Sequence, residues 1–439
     1  MTAREAALSA LERCRRDGAW SGSSIDGTIK KYALDKREAA LAARLCLGVL
    51  QNSALCDFYI GAYCSTEPKR LEPKLHDILL LGAYQLLFLD RIPPRAAVNE
   101  TVALCKKSGS ARAAGLVNAV LRRIAENKTA GTLPDIPGAG SAGYLSIKYS
   151  HPKWLAERII SERGYDFADA FFACNNCPAP LTLQVNTLRI SAEDYRLMLL
   201  EAGVDFVQAD GLPDCFTLPG GSVSELPGFA EGLFYVQDRA ARMAVEIAAP
   251  QSGMKILDAC SAPGGKSFAA AIKMRNKGRI LACDIHEKKL GLVASGAERL
   301  GINIIETAAG DARHCSPELL GVFDIVIADV PCSGFGVIAK KPEIRGKTAE
   351  EIAALPDIQY SIIENLAGYV KPGGVLLYST CTVLRAENED VVKRFSAEHP
   401  EFLPEEFDVC GISGAGGMYG FWPNVDGTDG FFAAKFRRK

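Results

Sequence analysis

Three observations predict a multidomain protein with an all-α N-terminal domain, a small α+β subdomain and a larger α/β domain. The chain has 439 residues, enough for two or three domains with sizeable cores. Residues 1–128 carry apolar side chains at three- and four-residue spacing, which is typical of helices. From residue 237 onward, β-branched runs alternate with helical segments. That alternation indicates a doubly wound, mostly parallel sheet.

The predicted N-terminal domain, residues 1–128, is basic. It holds 20 Lys and Arg against 13 Asp and Glu, whereas the whole chain has a formal net charge of −2. Excess positive charge favours a polyanionic partner, although a plain solvated face has the same composition. Candidate phosphate contacts fall on or near the last two predicted helices, at Lys106, Lys107, Arg112, Arg122 and Arg123.

Residues 129–143 are rich in Gly and Pro without periodicity, which predicts a linker. Residues 144–236 mix helical segments with strand-like runs such as Leu181 to Val185. They are predicted to form the small α+β subdomain, which is a candidate for RNA binding. Two polar residues there, Asn186 and Arg189, either contact RNA or complete a turn.

Residues 237–439 form the predicted α/β domain. Its buried strands are bounded by Gly, Pro and Asp. The predicted strands are Lys255–Asp258, Arg279–Asp284, Asn303–Thr307, Phe323–Val330, Gly374–Ser379 and a late apolar strand, Gly430–Phe436.

A glycine-rich loop, Cys260 to Lys266, follows the first of these strands and precedes a helix. Gly264 and Gly265 allow a ligand to approach the backbone, and its anionic group can meet free N–H groups at the helix start. Asp284 ends the next strand, where an acid accepts ribose hydroxyls in nucleotide-binding sheets. The loop matches neither GxGxxG nor the Walker A spacing. With Asp311 in register as well, S-adenosylmethionine is favoured over a dinucleotide.

Two cysteines follow two strands of the same predicted sheet. Asp329, Pro331 and Cys332 end one strand, and Cys381 follows another. A free Cys is often only a small buried hydrophobe. However, chemistry in open α/β sheets occurs outside the carboxyl ends of the strands, and both cysteines lie there.

The remaining composition favours a cytoplasmic protein with neither metal nor membrane. The chain has 14 Cys and no signal-like N-terminus, which indicates a reducing compartment. The longest apolar run, Ile78 to Leu89, is too short to span a bilayer. Cys174 and Cys177 lack a second pair that would complete a zinc site. We also expect a monomer.

Several motifs resemble those of a known family. LDACSAPGGKS at 257–267, ADVPCSGFG at 328–336 and YSTCT at 378–382 occur in the order typical of RNA cytosine-5 methyltransferases. RIPPRAAVNETV at 91–102 and LVNAVLRR at 116–123 resemble the helical NusB-like RNA-binding domain. The resemblance implies a Rossmann-like methyltransferase sheet whose last strand is antiparallel. It also implies S-adenosylmethionine as cofactor and small-subunit ribosomal RNA as substrate.

The resemblance also implies roles for individual residues. Asp284 would bind the ribose and Asp311 the adenine side, while Asp329 would border both cofactor and target base. The loop would hold the methionine part through Cys260, Ser261, Ala262, Pro263, Gly264, Gly265 and Lys266.

Covalent catalysis explains why such a site needs thiols. Carbon 5 of cytosine is a poor nucleophile, and addition of a thiolate to carbon 6 makes it enamine-like. A hydrogen bond to the ring, from a protonated Asp329, would stabilise the charge that develops. DNA-type enzymes attack with the Pro-Cys thiol. The RNA family attacks with the Thr-Cys thiol, here Cys381, and uses the Pro-Cys thiol, here Cys332, in product release.

Two other functions remain open on the residues alone. A non-catalytic RNA-binding assembly factor is disfavoured because Cys332, Cys381 and Asp329 occur together. A nicotinamide-dependent oxidoreductase is disfavoured by the missing GxGxxG. One segment, Val337 to Gly346, departs from the family, which usually has a basic segment with a Trp after the Pro-Cys-Ser-Gly turn.

Overall fold

The structure is a computed structural model that describes residues 1–18 and 20–439. Its α-helices are α1 (Ala3–Asp17), α2 (Ser21–Lys31), α3 (Lys36–Gln51), α4 (Ser53–Tyr63), α5 (Pro73–Phe88), α6 (Pro94–Lys107), α7 (Ala114–Ala130), α8 (Ala142–Tyr149), α9 (Lys153–Arg163), α10 (Tyr165–Asn175), α11 (Ala192–Glu201), α12 (Arg239–Ala248), α13 (Gly265–Lys273), α14 (Glu287–Leu300), α15 (Ala349–Ile352), α16 (Leu355–Ala367), α17 (Glu389–Glu398) and α18 (Pro423–Asp426).

The strands are shorter and lie mostly in the second half of the chain. They are β1 (Leu181–Val185), β2 (Val207–Ala209), β3 (Leu212–Leu218), β4 (Phe234–Val236), β5 (Lys255–Asp258), β6 (Arg279–Asp284), β7 (Ile305–Ala309), β8 (Phe323–Asp329), β9 (Val370–Thr380), β10 (Phe402–Pro404), β11 (Phe407–Val409), β12 (Ile412–Gly414), β13 (Met418–Phe421) and β14 (Phe431–Arg438).

The chain divides into two compact units. The first comprises residues 1–177 with 338–349, and the second comprises 178–337 with 350–439. This division differs from the predicted boundary at residue 144, because α8 packs on α4 and α10 packs on α8 and α9. The helices of 144–177 therefore belong to the first unit, and the strands that follow belong to the second.

The first unit is helical, as the apolar spacing predicts. Helix α1 begins with a capping box between Thr2 and Glu5 and ends at Gly18, whose φ of 61° is left-handed. The core lies between α1, α3, α5 and α7, where Leu45, Ile78 and Val117 are fully buried. Among the described residues no single helix is long and apolar enough to cross a membrane. Within the described part of the chain only α3 and α4 taken together have that length and apolar character, and they are bent by 78° relative to each other.

Residues 338–349, which include most of the segment Val337 to Gly346 that departs from the family pattern, pack within the first unit. Glu343 accepts hydrogen bonds from Ser21 N and Ser21 Oγ at 3.2 and 2.6 Å. The Arg345 guanidinium is buried and donates to the carbonyl oxygens of Gln51, Tyr149 and Asn175, each of which ends a helix. Burial lowers the pKa of Arg345 to about 9. The C-terminal ends of helices carry partial negative charge, so these carbonyls compensate the buried cation.

The second unit contains a mostly parallel sheet of eight strands, in the order β10-β14-β9-β8-β5-β6-β7, with β13 beside β14. Pairing is parallel from β9 to β7, and β14 runs antiparallel to β9. The predicted fold class is confirmed, including the antiparallel last strand that the resemblance implied. Strand β7 lies two residues later than predicted because this edge strand is half exposed and lacks a clear apolar pattern.

The small sheet of the second unit has the order β2-β3-β1-β4. Asn186 lies at the end of β1, is fully buried, and donates to the carbonyls of Gly232 and Leu300. Arg189 donates to the carbonyls of Leu300 and Glu231. Both side chains therefore fasten this sheet to the end of α14, which favours the structural alternative over RNA contact.

Two glycines allow the turns after β8 and β9 to lie close together. Gly336 N donates to Cys381 O at 3.0 Å, and Gly430 N donates to Gly336 O at 2.8 Å. A Cβ at Gly336 would lie only 1.8 Å from Gly430 O and 2.8 Å from Cys381 O. Because these are backbone atoms, no side-chain rotation can relieve the clash.

We expect Gly336→Ala to lower the free energy of unfolding by about 3 kcal/mol, since the backbone must shift to admit the methyl group. Gly291→Ala is the matched control. Gly291 lies in α14 with open space around it, and the change should raise stability by about 0.5–1 kcal/mol. Urea denaturation measures both. A Gly336→Ala variant as stable as wild type would contradict this packing.

Candidate active site

The site begins with the parallel pairing of β8 and β9. Ile325, Val326 and Ile327 are buried in β8, and Asp329 at its end is in register with Ser379 of β9. The turn after each strand carries a cysteine, and because the strands are in register the two turns meet. The Sγ atoms of Cys332 and Cys381 are 3.1 Å apart.

Direct hydrogen bonds also join the two turns. Ser333 and Thr382, the residues after the two cysteines, share a hydrogen bond of 2.8 Å between their hydroxyl oxygens. Val330 N donates to Ser379 O at 3.0 Å. Both hydroxyl residues are fully buried, whereas the two cysteines are half-buried. The thiols are thus held on a rigid base.

The Cys332 thiol is a weak acid in this setting. Contact with the Cys381 thiol, burial, and the charges of Glu387 and Asp329 together raise the pKa of Cys332 well above its ordinary value. Cys332 therefore keeps its proton, and its Sγ lies within hydrogen-bonding distance of Cys381 Sγ. Burial also raises the pKa of the Cys260 thiol, so the thiol of the glycine-rich loop is a poor nucleophile.

Asp329 accepts hydrogen bonds at both carboxyl oxygens. Lys266 Nζ donates to Oδ2 at 2.7 Å, and Ser379 Oγ donates to Oδ1 at 2.8 Å. The Lys266 side chain is buried and also lies over the Phe431 ring, 5.0 Å from its centroid. A carboxyl group that is held at both oxygens is fixed in one orientation.

The glycine-rich loop borders two cavities beside these turns. One, of 320 Å³, is lined by Cys260, Ala262, Asp284, Asp311 and Asp329 among others. The other, of 210 Å³, is lined by the loop residues Cys260, Ser261, Ala262, Pro263, Gly265 and Lys266, and by Asp329. The structure therefore places Asp284 and Asp311 on one cavity and most of the predicted loop on the other, and Cys260, Ala262 and Asp329 border both.

Backbone geometry explains the glycines of the loop. Gly264 has a φ of 111°, and a Cβ there would lie 2.5 Å from the Phe268 ring. Helix α13 starts at Gly265, so its first N–H groups face the loop. Within the described residues the buried Ser261 Oγ has no hydrogen-bond partner. An orphaned hydroxyl in a close-fitting turn fits the polar end of a bound ligand.

The acids of the site have distinct environments. Asp284 Oδ1 accepts from His286 N at 2.8 Å, and Asp284 lies against the larger cavity. Hydrogen bonds from Arg313 lower the pKa of Asp311 to about 2. Asp258 is buried under the loop and accepts from Ser267 Oγ at 2.6 Å. Burial raises the pKa of Asp258 to about 6, against the opposing effect of that hydrogen bond.

The predicted RNA contacts lie in the first unit. All five of these residues are exposed: Lys106, Lys107, Arg112, Arg122 and Arg123. Lys107 is 3.6 Å from Glu5. Exposure leaves these cations accessible, and their role stays a prediction.

Three buried residues of the site were missed from the sequence: Gln359, Glu387 and Asn388. Each hydrogen-bonds a residue beside one of the two cysteines. Glu387 and Asn388 come just before α17, where acidic and amide residues commonly begin a helix. Nothing in the pattern distinguishes them from ordinary helix-start residues.

Comparison with known proteins places the chain in a family. Residues 245–437 match the family model of 16S rRNA methyltransferase RsmB/F, residues 1–126 match the NusB family, and residues 151–223 match the ferredoxin-like domain of RsmF/B-like methyltransferases. The probable ribosomal RNA small subunit methyltransferase B of Bacillus subtilis is 33% identical, covering 99% of this chain and 98% of that protein. The chain belongs to the ribosomal RNA small subunit methyltransferase B family.

Further relatives agree with this membership. The ribosomal RNA small subunit methyltransferase B of Klebsiella pneumoniae is 32% identical over 99% of this chain and 98% of its own. The crystal structure of PH0851 is 27% identical with a TM-score of 0.84, covering 99% of this chain and 98% of that one. Family membership makes the protein an rRNA methyltransferase, and the expected NusB-like and Rossmann-like domains are confirmed.

The buried Asp258 should make the stability of the protein depend on pH. Its raised pKa means that the unfolded chain ionises first, so this residue lowers stability as pH rises from about 4 to about 6. A shift to about 6 from 3.8 corresponds to about 3 kcal/mol. We expect Asp258→Asn to gain about that much stability over wild type between pH 3.5 and pH 7, as measured by denaturant unfolding at each pH.

Asp324→Asn is the control, because its effect on stability should change with pH in the opposite direction. Burial opposes the shift, but the hydrogen bond from Lys255 N and the Lys371 ammonium hold the pKa of Asp324 below its ordinary value. That variant should lose stability relative to wild type as pH rises. If the two variants show the same pH trend, the electrostatic account of Asp258 is wrong.

Proposed function

We propose that this protein methylates carbon 5 of a cytosine in small-subunit (16S) ribosomal RNA, using S-adenosylmethionine and a covalent adduct between Cys381 and carbon 6. The observation that carries the proposal is the pair of thiols, 3.1 Å apart, at the ends of adjacent strands beside Asp329. One thiol can add to the base while the other remains within reach of the same ring.

The raised pKa of the Cys332 thiol supports separate roles for the two cysteines. Cys381 loses its proton to water, and its Sγ, now a thiolate, forms the bond to carbon 6 while the electron pair of the carbon 5–carbon 6 double bond moves onto the ring. That electron pair lets carbon 5 bond to the methyl group. A water molecule then takes the proton from carbon 5, and the electron pair of that C–H bond restores the double bond. The bond from carbon 6 to sulfur breaks and Cys381 leaves. Cys332, which holds a proton in the resting pair, is placed to assist this release.

Asp329 contributes as a carboxylate in this proposal. It accepts from Lys266 and Ser379, so its oxygens are fixed in position before the base arrives. A fixed carboxylate can accept from the exocyclic amine of cytosine and thereby orient the ring over the thiols. Lys266 places a positive charge beside the ring as negative charge develops on it.

The cofactor site rests on the glycine-rich loop and the acids around the 320 Å³ cavity. Residues Cys260 to Lys266 would hold the methionine part, Asp284 the ribose and Asp311 the adenine side. The orphaned Ser261 Oγ and the close-packed Gly264 fit such a ligand. When bound, S-adenosylmethionine supplies an electrophilic methyl group. The residues of the chain orient it and exclude water.

RNA would contact the basic residues of the first unit, Lys106, Lys107, Arg112, Arg122 and Arg123, through phosphate groups. The target cytosine must be unpaired or flipped out of a helix, because ring atoms inside a duplex cannot reach a pair of half-buried thiols. We further propose that the protein acts as a monomer, without a metal, in the cytoplasm.

The cofactor assignment predicts the effect of Asp284→Ala. Loss of the acid leaves ribose hydroxyls unpaired and should weaken S-adenosylmethionine binding by about 1–3 kcal/mol, or roughly 5- to 150-fold. Isothermal titration calorimetry measures the affinity. Glu287→Ala, an exposed acid three residues away, is the control and should bind as wild type does. Equal affinity in wild type and Asp284→Ala would remove Asp284 from the cofactor site.

The roles of the two thiols predict that their alanine variants fail differently. Cys381→Ala has no nucleophile and should be inactive, without any covalent complex. Cys332→Ala should still attack and methylate once, then accumulate a covalent protein–RNA complex because release is slow. Denaturing electrophoresis with labelled 16S ribosomal RNA detects that complex as a shifted band.

Other outcomes would reject parts of the proposal. A shifted band with Cys381→Ala and none with Cys332→Ala would reverse the roles of the thiols. Active variants without any band would exclude covalent catalysis. Wild-type protein that binds RNA yet transfers no methyl group would favour a non-catalytic assembly factor.

A further inference from the structure

Two buried side chains, Gln359 and Glu387, hydrogen-bond the residues on either side of Cys332 in the turn after β8. Gln359 Nε2 donates to Pro331 O at 3.0 Å, immediately before Cys332. Glu387 Oε2 accepts from Ser333 N at 2.8 Å, immediately after it. Gln359 Nε2 also donates to Glu387 Oε2 at 2.8 Å, which links the two contacts.

The residues on either side of Cys381, in the turn after β9, are held in the same way by Asn388, which follows Glu387 in the chain. Asn388 Oδ1 accepts from Thr380 Oγ1 at 2.5 Å, and Asn388 Nδ2 donates to Thr382 O at 3.0 Å. Thr380 and Thr382 are the two neighbours of Cys381. Consecutive side chains, Glu387 and Asn388, therefore each hold the neighbours of a different thiol.

Glu387 and Asn388 are themselves buried and held by hydrogen bonds to their backbone. Glu387 is 1% exposed and Asn388 is 3% exposed. Tyr378 of β9 donates its hydroxyl proton to Glu387 O at 2.6 Å, and Val392 N of α17 donates to Asn388 O at 3.1 Å. A buried polar group costs stability unless it is hydrogen-bonded, yet Glu387 Oε1 has no partner among the described residues. The unpaired oxygen costs stability, so the place of Glu387 is better explained by the contact that it makes with the turn of Cys332.

We propose that Glu387 and Asn388 are positioning residues that separately fix the two thiols, Glu387 through the turn of Cys332 and Asn388 through the turn of Cys381. This inference rests on the proposed function, in which Cys381 attacks and Cys332 assists release. Loss of Asn388 then slows attack, and loss of Glu387 slows release. The negative charge of Glu387 also contributes to the raised pKa of Cys332.

The size of the effect follows from reaction geometry. A thiol must approach a ring carbon within about 3–3.5 Å along a defined direction, and a displacement of about 1 Å can cost about 100-fold in rate. Glu387→Ala removes one hydrogen bond from its turn and Asn388→Ala removes two, but both turns keep the Ser333–Thr382 link, so each thiol should be displaced by less. We therefore expect losses of roughly tenfold to 100-fold in one step and little change in the other.

The experiment compares Glu387→Ala, Asn388→Ala and Cys332→Ala with labelled 16S ribosomal RNA and S-adenosylmethionine. Glu387→Ala should transfer one methyl group at a nearly normal single-turnover rate. It should also lose at least about tenfold in multiple turnover and accumulate the covalent band seen with Cys332→Ala. Asn388→Ala should lose at least about tenfold in single turnover and show no band.

Two further variants separate positioning from general damage. Glu387→Gln keeps an oxygen that accepts from Ser333 N, so it should restore turnover to within about threefold and remove the band. Combining Glu387→Ala with Cys332→Ala should change nothing beyond Cys332→Ala alone, because both act on one step. Asp390→Ala is the control, since Asp390 is a nearby exposed acid paired with Arg385.

The outcomes distinguish this inference from the proposed function. If Cys332→Ala forms the band but Glu387→Ala does not, the inference is overturned and the proposed function stands. If Cys332→Ala forms no band, the covalent mechanism itself fails. Equal single-turnover losses in Glu387→Ala and Asn388→Ala would show a merely structural role. Should Glu387→Ala not fold, Gln359→Ala releases the Pro331 side of the same turn and must give the band instead.

Discussion

The site depends on the in-register parallel pairing of β8 and β9, which joins Asp329 to Ser379 and places the two following turns side by side. A shift of one residue would turn every side chain of one strand to the opposite face and separate the thiols. The buried Ile and Val residues of β8 specify the register. Gly336 and Gly430 then allow the backbones after the strands to approach more closely than any residue with a Cβ permits.

Charge compensation is the second constraint. Asp258, Asp284 and Asp329 all lie at carboxyl ends of neighbouring strands, so the site concentrates negative charge. The Lys266 ammonium pairs with Asp329, and the raised pKa of Asp258 relieves part of the remaining repulsion. An ion pair that is largely buried contributes little net stability because desolvation offsets the attraction. The pairing of Lys266 with Asp329 therefore adds little to the stability of the fold.

Local patterns carried most of the prediction. The strands, the glycine-rich loop and both cysteines follow from hydrophobic period, turn residues and position at strand ends, all of which a short segment encodes. The roles of Asn186 and Gln359 do not follow from any local pattern, because each side chain contacts backbone atoms 28 or more residues away along the chain. The contacts of the segment 338–349 likewise do not follow from its local sequence. Its Arg345 looks like a surface cation in sequence, and only the meeting of three helix ends makes burial possible.

The contacts of Asp329 also depend on residues far along the chain. Its carboxyl group accepts from Ser379 Oγ on the paired strand and from Lys266 Nζ at 2.7 Å. The position of Lys266 itself depends on the turn that starts α13. The glycine-rich loop is therefore joined directly to Asp329 by one of its own side chains. Changes at the loop should consequently alter chemistry as well as cofactor affinity.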